Sequence, residues 1–164
     1  MAARDIGHHP ETTLNHAPRW HVRGPWVTIG VMLTNAEVAT RLPARDLERA
    51  RAFYADKLGL EPAEERPGGL LYRLGNTRFA LFASIGAATG EHTQMSFEVD
   101  DIVAVVDELR SRGVVFEDVD VPGLRTVDGI AEVEGNYPSV GAGERAAWFR
   151  DSEGNLLGIG QPIH

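Results

Sequence analysis

One pattern of predicted elements occurs twice along the chain: a strand, a helix that ends at a glycine, and three further strands. Arg45-Asp46-Leu47 opens the first predicted helix, and Asp100-Asp101-Ile102 opens the second. Each unit is longer than the repeats of solenoid proteins. The pattern therefore predicts an α+β fold of two βαβββ modules, whose eight strands form one curved mixed sheet with helices on one face. The other face is left as a concave trough, the kind of surface that binds small molecules.

The first module is predicted from alternation along its strands and from helical spacing. Glu37–Pro43 alternates like a half-buried strand, which places Glu37 and Arg41 on one face. A helix is predicted from Asp46 to Lys57, with Asp46 as its N-cap and Gly59 ending it in the left-handed conformation. The following strands are predicted near Leu60–Glu65, Gly69–Leu74 and Thr77–Ala83.

The second module begins with a predicted strand at Thr93–Val99 and a helix at Asp101–Arg112. Another strand is predicted at Val114–Phe116. Val121–Gly143, which contains Tyr137, is predicted to be a long, mobile loop that borders the trough. The last element is a hairpin, because the turn-forming residues Asp151–Asn155 separate two apolar runs, Ala146–Phe149 and Leu156–Ile159.

Composition limits the classes of partner. The chain has 164 residues and no cysteine, which excludes disulfides and thiolate metal sites. Its formal net charge of −8 argues against a nucleic-acid partner or an anionic membrane surface. No apolar run is long enough to span a bilayer. These features predict a cytoplasmic protein.

The first part of the chain differs from the rest. Residues 1–33 are predicted to be a disordered leader or a non-native extension, because they lack periodicity. The alternative is a metal-binding tail, since this segment holds His8, His9, His16 and His21. Residues 34–162 are predicted to form one domain, with module one at 34–90 and module two at 91–162.

Three stretches resemble one family. Asp46–Tyr54, followed by Leu58-Gly59-Leu60, resembles the first helix of the vicinal oxygen chelate superfamily, which includes glyoxalases, extradiol dioxygenases, fosfomycin-resistance enzymes and bleomycin-resistance proteins. Val99–Ile102 resembles the start of its second module, and Trp148–Asn155 resembles its closing hairpin. The likeness covers Glu37 to Gln161 and implies the two-module fold and a homodimer.

The resemblance also implies positions for metal ligands. Metal enzymes of this family carry His or Gln in the first strand of each module and Glu in the last. These positions fall here on Ala39, on Gln94, on Leu81 or a neighbour, and on Gly158. Only Gln94 offers a donor atom, whereas a catalytic metal needs about three protein ligands. The sequence therefore predicts a trough without metal or other cofactor.

A polar strip is predicted where His92, Gln94, Ser96 and Glu98 follow each other at a spacing of two. On a regular strand they share one face, and with Arg41 they are candidates for ligand binding. His92 or Glu98 can also act as a base. The alternative is a solvated polar face, which any one-sided sheet shows.

Two strand aromatics, Tyr72 and Trp148, are candidates for stacking on a flat ligand in the trough; the alternative is ordinary core packing. The sequence thus predicts a metal-free protein that binds a small organic molecule. One alternative is a metal-dependent lyase or dioxygenase of the same superfamily. The other is a metal-independent isomerase that uses Glu98 or His92 as its base.

Overall fold

The computed structural model describes residues 38–86, 88–135 and 141–164. The predicted leader at 1–33, Glu37 and Tyr137 lie outside the described residues. The described elements are, in order, β1 (Thr40–Ala44), α1 (Leu47–Leu58), β2 (Glu64–Arg66), β3 (Gly69–Leu74), β4 (Thr77–Ala83), β5 (Met95–Glu98), α2 (Ile102–Ser111), β6 (Asp120–Val121), β7 (Leu124–Arg125), β8 (Ala131–Glu134), β9 (Gly143–Arg150) and β10 (Leu156–Ile163).

Each module contributes one mixed sheet. Sheet 1 has the order β1-β4-β3-β2, and sheet 2 has the order β5-β10-β9-β8. In both sheets the strand before the helix runs parallel to the last strand of its module, and the other pairs are antiparallel. The α+β class and the two βαβββ modules are thereby confirmed, with the eight strands divided between two four-stranded sheets.

Side-chain caps begin both helices where the sequence predicts them. Asp46 accepts a hydrogen bond from the backbone N–H of Arg49 at 3.0 Å, and Asp101 accepts one from Ala104 at 3.1 Å. Gly59 ends α1 with φ of 68°, a conformation that a residue with a β-carbon adopts only at a cost. In the described part of the chain, neither helix is long and apolar enough to cross a membrane.

The segment 121–143, which was predicted to be one long loop, contains regular elements. It contains part of a short hairpin, β6–β7, and the whole of β8, which is an edge strand of sheet 2. Pro122 and Gly123 form the tight turn of the hairpin, where the φ of Gly123 is 84°. The predicted strand at Val114–Phe116 is also wrong, because only Phe116 makes an isolated bridge, to Phe149.

Both modules share one hydrophobic core. The inward faces of the sheets and the apolar faces of the helices bury Leu42, Leu81, Ile102 and Leu157 completely. The rings of Phe79 in sheet 1 and Phe97 in sheet 2 meet edge to face, with centroids 6.3 Å apart. Each sheet therefore has one face on the core. We call the opposite face its trough face.

A buried polar network joins the closing hairpin to the first module. Asp151 accepts hydrogen bonds from the Tyr54 hydroxyl at 3.1 Å and from the side-chain amide of Asn155 at 2.7 Å. The backbone N–H groups of Glu153 and Asn155 also donate to Asp151, at 2.8 and 2.9 Å. The same Asn155 amide donates to the Pro43 carbonyl of β1 at 3.1 Å. The hairpin thus fixes the position of α1 and β1 as well as reversing the chain.

Glu153 adds an ion pair to this junction. Its side chain is 1% exposed and accepts from Arg49 Nε at 2.8 Å. The backbone N–H groups of Arg45 and Asp46 donate to its other oxygen at 2.8 and 3.2 Å. Burial acts to raise the pKa of Glu153, but these hydrogen bonds outweigh burial and hold the pKa below its ordinary value of 4.5.

We expect Glu153→Gln to lower the free energy of unfolding by about 1–3 kcal/mol at neutral pH. Because the folded pKa is depressed, the contribution is present above the unfolded pKa and is lost as pH falls through the folded pKa. Urea titrations should therefore show a difference in the free energy of unfolding between the original protein and the variant. This difference should be constant from pH 6 to 8 and should shrink below pH 4.5. Glu117→Gln, which breaks an exposed pair with Arg150, is the control. An equal difference at pH 3 would contradict this assignment.

Candidate functional site

The trough face of sheet 1 is lined by charged and apolar side chains in separate zones. A cavity of about 620 Å³ lies over it. Arg41 of β1 and Arg78 of β4 lie toward one side, and Glu64 and Arg66 of β2 lie on the other. The apolar lining between them includes Leu71, Ala80 and Phe82.

Charge on this face is only partly compensated. Glu64 accepts hydrogen bonds from Arg73 at 3.0 Å and from Arg66 at 3.3 Å. These bonds hold the pKa of the Glu64 carboxyl below its ordinary value. The exposed Arg41 has no ion pair with any residue in the described ranges. Arg41 lies on β1, an edge strand of sheet 1.

The trough face of sheet 2 carries polar side chains beside glycines, which have no side chain. Ser96 on β5 lies beside Gly158 on β10, where an added β-carbon would come within 2.9 Å of the Ser96 hydroxyl. The carboxylate of Glu144 packs over Gly160 in the same way. Glu98 is paired with Gly160 from β5, the strand on the other edge of β10. Two carboxylates therefore flank one glycine on this face.

The structure brings several predicted ligand-binding residues together. Ser96 and Glu98 share the trough face of sheet 2, as the period of two predicts, whereas Gln94 precedes β5. Trp148 lies half-buried on the same face, opposite Gly158. Exposed His92 precedes β5 and lies outside the sheet. Arg41 belongs to the other sheet.

Tyr72 lies elsewhere, in the core. Its side chain is completely buried and stacks on Phe79, with centroids 4.8 Å apart and planes within 6°. The ring of Tyr54 packs against the ring of Tyr72, with centroids 5.3 Å apart. Burial, with a smaller effect of the Glu61 carboxylate, raises the pKa of Tyr72 to about 12. The alternative of core packing is thus the observed one, and Tyr72 presents no surface to the trough.

The strand register locates the family's metal positions. Arg41 pairs with Ala80 in sheet 1, and Ser96 pairs with Gly158 in sheet 2. Arg41 and Ser96 occupy equivalent positions, because each lies five residues before the N-cap of the helix that follows it. Ala80 is therefore the equivalent of Gly158, whereas the neighbouring Leu81 is buried in the core.

The side chains at these positions do not fit a divalent ion. The donor set consists of Ala39, Ala80, Gln94 and Gly158, which together supply one neutral amide. Gln94 Oε1 is buried and has no hydrogen-bond partner among the described atoms. In the described ranges no group of three His, Asp or Glu side chains could hold a metal.

Sequence reasoning missed part of the trough. Arg66, Arg73 and Arg78 all lie on the trough face of sheet 1, and Glu144 lies on that of sheet 2. A signal was present, because Arg73 and Arg78 are separated by a four-residue hairpin turn and must lie opposite each other. Applying the period of two to β3 and β4 would have placed both on one face.

Solved structures share this fold at low sequence identity. A glyoxalase/bleomycin resistance protein/dioxygenase from Alicyclobacillus acidocaldarius has a TM-score of 0.59 at 18% identity, covering 79% of this chain and 93% of that one. TnmS3, an antibiotic binding protein from Streptomyces sp. CB03234, has a TM-score of 0.55 at 24% sequence identity, covering 78% of this chain and 97% of that one. A bleomycin-binding protein complexed with bleomycin has a TM-score of 0.56 at 20% sequence identity, covering 78% of this chain and 99% of that one.

Sequence comparison agrees with the fold. A search of curated proteins gives no significant match. The model of the Glyoxalase/Bleomycin resistance protein/Dioxygenase superfamily matches residues 36–159, which span both modules and all the strands of the two sheets up to Ile159 in β10. The chain therefore belongs to the glyoxalase/bleomycin resistance protein/dioxygenase superfamily.

Proposed function

We propose that this protein binds a small organic molecule in its trough, without a metal, and acts as a homodimer. The observation that carries the proposal is the donor set at the family's metal positions, where Gln94 alone has a heteroatom in its side chain. The trough faces offer binding surface without a metal, through Arg41, Ser96, Glu98 and Trp148.

Two structural relatives support binding as the activity. One is described as an antibiotic binding protein and another as a bleomycin-binding protein. The cavity over sheet 1 has a volume of about 620 Å³, which lies in the ordinary range for small-molecule sites. A second copy of the chain would bury the trough faces of the two sheets.

One enzymatic alternative retains a structural basis. Glu98 and Glu144 flank Gly160 on the trough face of sheet 2, so a carboxylate is placed where it could take a proton from a bound molecule. A metal-independent isomerase would use this group. The metal-dependent lyase or dioxygenase has no comparable support, because its ligand positions lack carboxylate and imidazole groups.

The proposal is tested by a thermal-shift screen of metabolites and antibiotics, run first with a chelator and then with zinc, nickel, manganese or iron(II). A ligand of the trough should raise the melting temperature by mass action. We expect the shift to be the same with and without metal. Histidines of the segment 1–33 could bind metal independently, so the variant Gln94→Ala is included to identify metal in the trough.

Two outcomes would contradict the proposal. One is a stabilising metal bound at one ion per chain and lost in Gln94→Ala, which would restore the metalloenzyme alternative. The other is the absence of any stabilising compound in a broad screen. Turnover of a stabilising compound, lost in Glu98→Gln, would instead favour the isomerase.

A further inference from the structure

We infer that the chain has a second ligand site, a groove at the seam between the two modules, which binds a small amphipathic amine. The apolar part of the amine lies against the side chains of the groove, and its ammonium group lies at the carboxylate of Glu98. This site is separate from the trough and goes beyond the proposed function. It is carried by an apolar cavity of about 600 Å³ with a carboxylate at its rim.

The groove is the open end of the shared core. The residues that line it, among those the structure describes, come from both modules; six apolar ones are Leu58, Leu60, Leu74, Phe97, Val105 and Leu109. Leu74 and Thr77 lie two residues from the core rings Tyr72 and Phe79 on the same strands, so they share the core face. Thr77 is exposed. The core face of sheet 1 thus reaches the surface at this end.

The end of α1 forms one wall of the groove. Gly59 reverses the chain in the left-handed conformation, with φ of 68°. The backbone N–H of Leu60 then donates to the Tyr54 carbonyl at 2.9 Å, a bond of the Schellman motif. Leu58 and Leu60, on either side of the glycine, line the groove and are only partly buried. The local turn that ends the helix therefore also supplies apolar surface to the site.

The free edge of β5 and the helix α2 form the opposite wall. Among the described strands only β10 pairs with β5, so the other edge of β5 faces the groove without a described neighbour. Phe97, Val99 and Val105 line this wall and are partly buried. An apolar molecule in the groove would remove the rest of their surface from water, which favours binding. The volume and the position between two structural units are both typical of small-molecule sites.

Glu98 determines the charge of the ligand. It is the one charged residue among the described residues that line the groove, and it is exposed on the edge strand β5, where it borders both the groove and the trough face. Its side chain makes no ion pair with any residue in the described ranges. The complete chain, with a formal net charge of −8, also attracts cations and repels anions. An ammonium group at this exposed rim keeps its contact with water, so it avoids the cost of burying a charge.

The test compares three ligands that share one apolar body: 1-naphthylmethylammonium, 1-naphthylmethanol and 1-naphthylacetate. Binding to the full chain is followed by NMR, and the methyl signals of Leu58, Leu60 and Val105 report contact with the groove. We expect the amine to bind about fivefold more tightly than the alcohol, because an exposed ion pair contributes only modestly. The acetate should bind more weakly than the alcohol, since its carboxylate would lie beside Glu98.

Two variants test the charge. Glu98→Gln should abolish the difference in affinity between the amine and the alcohol. The matched control is Glu134→Gln, which removes the same charge from an exposed residue of β8, at the opposite edge of the same sheet. It should leave the difference unchanged.

Two further variants separate the groove from the trough. Thr77→Trp fills the mouth of the groove and should weaken both the amine and the alcohol at least about tenfold. Tryptophan is favoured in strands and Thr77 is exposed, so this variant should keep the fold, which its melting temperature checks. Trp148→Ala removes a large side chain from the trough face of sheet 2 and should leave the affinity of the amine unchanged.

Each remaining outcome decides against the inference. Equal affinity of the amine and the alcohol would overturn it, as would a preference for the amine that persists in Glu98→Gln. Binding that is lost in Trp148→Ala and kept in Thr77→Trp would place the ligand in the trough; it would overturn the second site and favour the proposed function. If no naphthalene compound binds, the inference fails, and the thermal-shift screen alone decides the proposed function.

Discussion

Replacing Asp151 by alanine is expected to lower the free energy of unfolding by about 4 kcal/mol. The carboxylate is 6% exposed and accepts four hydrogen bonds, two from side chains and two from backbone N–H groups. Removing it leaves buried donors of Tyr54 and Asn155 without an acceptor, which costs more than the bonds themselves. Urea denaturation at neutral pH measures the loss.

Matched variants separate this network from general effects of charge removal. Asp118→Ala removes one carboxylate from an exposed position and should change the free energy of unfolding by less than about 0.5 kcal/mol. Tyr54→Phe removes a single donor and should cost about 1 kcal/mol. A loss below about 1 kcal/mol in Asp151→Ala would show that the Asp151 network contributes little to the junction between the hairpin turn and the first module.

Features set by neighbouring residues were predictable from the sequence. The bounds of β3 and β4 agree with prediction, because Gly68 precedes β3 and Gly75-Asn76 separates the two strands. The N-caps Asp46 and Asp101 are also confirmed, since each bonds to a backbone N–H three residues later. Such interactions are local, so composition and spacing suffice to find them.

Features that depend on distant contacts were not predictable. Asp151 was interpreted as a turn former, whereas its contact with Tyr54 spans 97 residues. β8 was missed because its four residues alternate small or branched with acidic side chains and carry no strong strand signal. The face of Tyr72 was ambiguous, since Leu70, Leu71 and Tyr72 are consecutive and apolar, which a period of two cannot orient.

The candidate site shows the same division between local features and features that depend on distant contacts. The period of two grouped Ser96 and Glu98 correctly, because both lie on β5. The arginines of sheet 1 lie on four different strands, and only the register brings them to one face. Residues on one element can thus be grouped from the sequence, whereas a site assembled across strands requires the pairing.

Tyr72→Ala is expected to cost about 4 kcal/mol, whereas Tyr72→Phe is expected to be neutral or stabilising. The ring is completely buried between Tyr54 and Phe79, so its removal leaves a large cavity in the core. The hydroxyl is buried with no hydrogen-bond partner among the described atoms, so the phenol pays for desolvation without compensation. Phenylalanine keeps the packing and removes that penalty.

Urea denaturation of both variants, with Leu74→Ala at a partly buried site as the control, measures the contrast. A loss of 1 kcal/mol or more in Tyr72→Phe would show that the hydroxyl has a partner in solution, and ligand affinity altered by Tyr72→Phe would return this residue to the binding site.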